Sequence, residues 1–249
     1  MDRVGAASLL RHKRLESIEM ADTLYLSLWY PNLRLAGLAD KLTAVLGAFA
    51  KHGGETRVYS ATVWPVNWSE SPVFQKVYGR GERGIDPQLA VEDALELLHE
   101  DYAYEFQIGW SLWEAEIPTG AAGPSTPPAQ NRTGMAHEDP AGGVGIALEP
   151  RWAREQRQVR VTGYGPLFDE GAYEQDGHIR IDFGSDAAFL DEEIELDSIA
   201  ARHVEENVRQ LVELTAAAER DSGATARLLW SELGESLAQR LAARLGMAN

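Results

Sequence analysis

The chain lacks cysteine altogether, and this absence removes several kinds of chemistry. None of the 249 residues is Cys, so disulfides, thiolate nucleophiles and Cys-ligated zinc sites are excluded. Long apolar runs are also absent, since no stretch approaches the roughly 20 residues that a membrane-spanning helix needs. The apolar run at 4–10 precedes the basic residues at 11–14, which reverses the order of a signal peptide. We therefore expect a cytoplasmic protein with no membrane partner.

Basic residues are scarce. The chain has 23 Lys and Arg against 39 Asp and Glu, for a net charge of −16. Nucleic-acid binding needs clustered Lys and Arg to neutralise phosphates, so the charge argues against a nucleic-acid partner. The acidic residues cluster at 86–105 and at 191–197. Such clusters are typical of solvated helix faces, and they also steer a basic partner and raise its association rate.

Hydrophobic spacing in the first half predicts six elements. We expect strands at 24–30, 57–64, 71–78 and 102–113, a helix at 35–52, and a second helix that starts at Asp86-Pro87 and ends near residue 100. In the second strand the spacing places Val58, Ser60, Thr62 and Trp64 on one face. The order is β-α-β-β-α-β, which is the ferredoxin-like pattern.

The second half is predicted to begin with a flexible loop. Residues 118–143 hold five prolines and five glycines and almost no large apolar residue. Strands follow at 144–148, 158–164 and 178–183. A long helix then starts at Asp197 or Ser198 and ends at Gly223, with an apolar stripe of Val204, Val208, Leu211, Val212 and Thr215.

The C-terminal residues are less clear. Residues 225–230 are ambiguous and could form an edge strand, and Ser231 can cap a final helix. The whole chain predicts an α+β fold, a mostly antiparallel sheet of about six to eight strands packed on helices, with a helical C-terminus. The parts at 1–117 and 144–249 are expected to form one continuous domain, joined by the loop at 118–143.

No motif predicts catalysis. Residues 79–84 read G-x-G-x-x-G, but Glu82 would place a negative charge beside the phosphates, and the helix starts only after the third glycine. Residues 109–113 resemble a nucleophile elbow, yet Trp113 replaces the second glycine and the segment is predicted to be a strand. The six histidines form neither HxH nor HExxH. We expect no cofactor, no metal site and no catalytic residue.

Seven tryptophans are many for this length, and an exposed one would suit a protein-binding hot spot. We predict partner contacts by Trp68, Tyr78, Arg80 and Arg83 near the glycine-rich turn. Electrostatic steering is assigned to Asp191, Glu192 and Glu193.

Three segments of the first half carry a family resemblance. They are Leu26-Ser27-Leu28-Trp29-Tyr30, the stretch from Ser71-Pro72-Val73-Phe74 to Val77-Tyr78-Gly79-Arg80-Gly81, and Gln107-Ile108-Gly109-Trp110-Ser111-Leu112-Trp113. In this order they resemble one group of immunity proteins from bacterial polymorphic-toxin systems. The resemblance implies a cytoplasmic α+β protein that binds and blocks a toxin without catalysis.

Two other functional classes stay open. One is a small hydrolase or metal-dependent enzyme whose Asp, Glu and His residues meet in a pocket on folding. The other is a structural or assembly subunit, which would form concentration-dependent oligomers. The sequence predicts no oligomeric state.

Overall fold

A computed structural model describes residues 22–52, 57–79, 84–116, 151–190 and 198–232. Its centre is a seven-stranded antiparallel sheet in the order β3-β2-β4-β5-β6-β1-β7. The strands are β1 Thr23–Trp29, β2 Val58–Pro65, β3 Phe74–Val77, β4 Tyr102–Glu116, β5 Arg151–Tyr164, β6 Ile179–Ser185 and β7 Ala226–Ser231. The helices are α1 Leu38–His52, α2 Pro87–Leu95, α3 Tyr173–Asp176, α4 Ala187–Leu190 and α5 Ser198–Ser222, with 3-10 turns at Leu35–Gly37 and Phe168–Glu170.

The predicted α+β class is confirmed, and so is the β-α-β-β-α-β order of the first six elements. The sheet is built from both halves of the chain, because β1 lies between β6 and β7 while β4 pairs with β5. The ambiguous segment at 225–230 is the edge strand β7, and the predicted C-terminal helicity is present in α5. The predicted loop at 118–143, the strand at 144–148 and the helix that would follow Ser231 fall outside the described residues.

The starts and ends of the helices follow from local chemistry. At the start of α2, the Asp86 carboxylate accepts a 2.8 Å hydrogen bond from the backbone N–H of Gln88, and Pro87 occupies the first helical position. The helix ends at Leu95 rather than near residue 100, because the Tyr104 hydroxyl binds the turn that follows. It accepts from the His99 N–H and donates to the Leu97 carbonyl.

The predicted faces of helix α5 and strand β2 are each wrong in part. In α5, Val212 is 52% exposed whereas Leu214 is fully buried, because the buried stripe of this long helix runs through Leu211, Leu214 and Ala218. In β2, an irregularity between Val58 and Ser60 shifts the register against β4. Val58 therefore joins Ala61 and Val63 in the core instead of sharing a face with Ser60.

Four of the helices, α1, α2, α4 and α5, cover one face of the sheet. A row of core side chains crosses five strands there, namely Leu26, Ile181, Val161, Phe106 and Ala61. Buried residues of α1, α2, α4 and α5 belong to the same core. Gly163 leaves room for α1 at this face, since a Cβ there would lie 3.0 Å from the Leu42 side chain. The opposite face carries mostly rows of polar side chains.

Among the described residues, no helix is both long enough and apolar enough to cross a membrane.

Candidate binding surface

Three loops meet at one end of the sheet and form the candidate binding surface. They are residues 66–70 after β2, 96–101 before β4 and 165–176 between β5 and β6. Backbone hydrogen bonds lock them together: the Val66 N–H donates to the Asp101 carbonyl at 2.7 Å, Leu167 to Glu100 at 2.8 Å and Asp169 to Val66 at 2.7 Å. We call these three loops together the acidic end.

The charge of the acidic end has one sign. The loops contain eight carboxylates and neither Lys nor Arg: Glu70, Glu96, Glu100, Asp101, Asp169, Glu170, Glu174 and Asp176. Six of the eight side chains are exposed, and Asp101 and Asp176 are half-buried. Asp101 pairs with His99, and Asp176 pairs with Arg180 of β6. The remaining negative potential attracts cations and positively charged proteins.

Apolar side chains are exposed among these carboxylates. Val66 is 49% exposed, Trp68 37% and Leu167 61%, and Leu97 and Leu98 are exposed as well. Single exposed apolar residues are ordinary, but five in three joined loops form an apolar surface of the kind found at protein contacts.

Trp68 is held by aromatic rings beneath it. Its ring centroid lies 5.0 Å from Phe168, 5.8 Å from Trp64 and 6.2 Å from Tyr164, with edge-to-face geometry in each pair. Phe168 and Tyr164 are buried and form a second small core with Ala103, on the sheet face opposite the helices. The partly exposed indole is therefore fixed in place before any partner arrives.

The backbone of the acidic end is strained. Val66 has φ of 58°, Asp169 of 47° and Glu170 of 55°. The left-handed region is unusual for any residue other than glycine, and for a β-branched valine it is a genuine outlier. Such strain costs of order 1–3 kcal/mol per residue and is concentrated at functional sites.

A charged network lies on the same sheet face, next to the aromatic rings. The Arg180 guanidinium sits 5.7 Å from the centre of the Tyr164 ring and pairs with Asp176. Farther along the face, Arg160 pairs with Asp182 at 2.6 Å. Glu105 lies on β4, level with Arg180 across β5, and burial raises the pKa of its carboxyl group against the opposing effect of Arg160.

This network offers limited chemistry. Glu105 is a carboxyl group that could exchange a proton at a higher pH than usual. The neighbouring Asp176 and Asp182 are paired with arginines. Within the described part of the chain, no three His, Asp or Glu residues are arranged to hold a metal ion.

Gly84 and Gly109, one glycine from each of the two motif-like segments, serve close packing. A Cβ on Gly84 would lie 2.7 Å from the Arg57 Cβ, so this glycine lets the chain approach β2 before Asp86 caps α2. A Cβ on Gly109 would lie 2.2 Å from the Tyr59 hydroxyl. Ser111 lies inside the long strand β4 and not at a sharp turn, which agrees with the strand prediction for this segment.

The structure separates the predicted partner-binding residues. Trp68 follows the end of β2 and belongs to the acidic end. Tyr78 lies beside Tyr59 at the other end of the strand, where its hydroxyl donates to Asp93 at 2.9 Å and helps to pack β3 on α2. The other five predicted contacts, Arg80, Arg83, Asp191, Glu192 and Glu193, lie outside the described residues.

Sequence reasoning missed most of the acidic end. It grouped Glu96, Glu100 and Asp101 with the acidic residues of α2, but it did not connect them with residues 66–70 or 165–176. One available signal was that all three connecting segments are free of Lys and Arg, and that two of them, 96–101 and 165–176, are rich in Asp and Glu.

No protein-family model, curated protein or solved structure matches the chain, so its function is inferred from its geometry and charge.

Proposed function

We propose that this chain is a non-catalytic binding protein that recognises a basic protein partner through the acidic end. One observation carries the proposal. Eight carboxylates without a Lys or Arg, and five exposed apolar side chains, occupy the same three hydrogen-bonded loops.

The two features have complementary roles in binding. The carboxylates raise the rate of encounter with a positively charged surface. The apolar side chains supply the area that becomes buried on contact, and rigid tryptophans are among the most frequent hot-spot residues. Because Trp68 is already held by Phe168 and Trp64, little side-chain entropy is lost when a partner covers it.

A narrower proposal concerns the partner. The resemblance of the first half to immunity proteins, together with the net charge of −16, supports a basic toxin as the protein that is bound and neutralised. The gene neighbourhood tests this point first: the proposal expects a toxin-domain gene beside this chain's own gene, and co-expression of the two is then the functional test. Growth should be rescued by the wild-type chain and not by a variant of the acidic end.

The binding proposal is tested by affinity capture from the native host with matched charge variants. The double variant Glu100→Lys, Glu174→Lys reverses two exposed carboxylates of the acidic end. The control Glu155→Lys, Glu205→Lys makes the same net charge change at exposed positions elsewhere. We expect a stoichiometric partner with the wild type and the control, and none with the acidic-end variant.

Trp68→Ala tests the apolar contribution to partner binding separately from the contribution of the carboxylates. Loss of a hot-spot tryptophan should weaken the captured complex by about 30-fold, as measured by titration with the purified partner. The proposal is wrong if no stoichiometric protein is recovered, or if both double variants reduce binding equally.

A further inference from the structure

A cleft of about 340 Å³ adjoins the acidic end. One wall comes from Tyr173 and Pro166, which belong to the loop at 165–176, and the other from the end of β1 and the turn that follows it. Leu33, Leu35 and Leu38 make part of the lining apolar. The volume is near the lower limit for ligand sites in proteins, so it suits one side chain or a single-ring compound.

His178 supplies a polar group in this cleft. Its Nδ1 accepts a 3.2 Å hydrogen bond from the backbone N–H of Tyr30, which places the proton of the neutral ring on Nε2. Burial lowers the pKa of His178 and so favours this neutral form. No described residue hydrogen-bonds to Nε2, which leaves its N–H available as a donor.

The walls around His178 are fixed. Its ring lies 4.7 Å from that of Tyr173 and 6.0 Å from that of Tyr30, measured between centroids. The Tyr30 hydroxyl is hydrogen-bonded to Ser222 of α5 at 2.8 Å, and Lys41 donates to the Ser222 carbonyl at 2.7 Å. These contacts hold Tyr30 and His178 in place on their side of the cleft.

The surroundings select the chemistry of the occupant. The leucines and tyrosines favour an apolar group, and the Nε2–H requires a hydrogen-bond acceptor beside it. The neighbouring carboxylates of the acidic end disfavour an anion, so the acceptor has to be neutral. A peptide segment with an apolar side chain and its own carbonyl group meets all three conditions.

We infer that the His178 cleft is the anchor site of the basic partner, and that it receives an aromatic or branched aliphatic side chain with a peptide carbonyl that accepts from His178 Nε2–H. This inference rests on the proposed function, because the anchor belongs to the same partner that the acidic end attracts.

The probe is N-acetyl-L-phenylalaninamide, which carries one ring and neutral carbonyl groups. In an NMR titration, we expect it to shift the imidazole resonances of His178 with a Kd on the order of 1 mM. N-acetyl-L-alaninamide should have no such effect. The inference is overturned if the two compounds behave alike or if the His178 resonances do not move.

Two histidine variants provide the matched comparison. His178→Phe keeps an aromatic ring but removes the donor, and it should weaken probe binding about five-fold. His203→Phe makes the same change at a half-buried histidine stacked on Trp113, and it should leave binding unchanged. Equal weakening by both variants would contradict the anchor role.

Competition with the captured partner completes the test without relying on the folding of a variant. Saturating phenylalanine probe should weaken partner binding, whereas the alanine compound should not. If the probe binds the cleft and a partner is captured but not displaced, the anchor inference fails and the proposed function stands. If no partner depends on the acidic end, the proposed function itself has failed.

Discussion

Asn207 joins α5 to strand β4 and to helix α4, and its removal should destabilise the whole fold. The side chain is fully buried. Its carbonyl oxygen accepts from the Trp113 N–H, and its amide donates to the carbonyls of Trp113 and Ala188, each at 2.9 Å. At this level the described pairing of β4 with β2 has ended, and Asn207 satisfies both backbone groups of Trp113.

The expected cost of Asn207→Ala follows from these three bonds. A buried polar group left without a partner costs about 1–3 kcal/mol, and Trp113 as a residue is only half-buried, so its two groups should cost less than the maximum. We therefore expect a loss of about 3–5 kcal/mol in the free energy of unfolding. Urea denaturation followed by far-UV circular dichroism measures this quantity directly.

Two further variants serve as comparisons for Asn207→Ala. Asn207→Asp keeps the acceptor for the Trp113 N–H but loses both donors and buries a charge, so it should be at least as destabilising at pH 7. Gln210, also in α5, has a buried side-chain oxygen with no hydrogen-bond partner among the described residues, so Gln210→Met should raise the free energy of unfolding by about 1 kcal/mol, the opposite direction from Asn207→Ala. A loss below about 1 kcal/mol for Asn207→Ala would refute the reasoning.

Three other predictions concern strain and titration. Val66→Asn should raise the free energy of unfolding by about 1 kcal/mol, because asparagine tolerates the left-handed backbone conformation that valine does not. Val66→Ile is still β-branched and should show no gain when both variants are compared with the wild type by thermal unfolding. Glu105 has a pKa raised by burial, so wild-type stability should fall as pH rises through that pKa. Glu105→Gln should be more stable than the wild type at pH 7 and equal to it below about pH 4. A stability difference between the two proteins that does not change with pH would argue against burial as the cause. His178 has a lowered pKa, so the wild type should lose stability as pH falls below about 6.5 and through the pKa of the folded state. In urea titrations between pH 7.5 and 5, the free energy of unfolding of His178→Gln should depend less on pH than that of the wild type. The same pH dependence in both proteins would contradict this.

Much of the fold could be predicted because its signals are local. The alternation of Phe106, Ile108, Trp110 and Leu112 indicates a strand with one buried face, and the structure places all four in the core. The Asp86-Pro87 start of α2 depends only on neighbouring residues. The bulge in β2 could not be predicted, because it is set by the register against β4 and not by the spacing within β2.

The acidic end could not be predicted because it is assembled by tertiary structure. Its three loops are separated in sequence by long elements, and they meet only because β2, β4 and β5 lie side by side in the sheet. The left-handed conformation of Val66 has no sequence signal, since valine disfavours it. Trp68 could be proposed as an anchor from its residue type, but its aromatic support from Phe168 depends on a segment about 100 residues away.

Hydrogen–deuterium exchange of the captured complex tests the central claim most directly, because it maps the contact without a mutation. Partner binding should slow exchange of the backbone amides at 66–70, 96–101 and 165–176, where the carboxylates and exposed apolar side chains lie. Protection confined to the exposed faces of α1 and α5, with these three loops unchanged, would contradict the account.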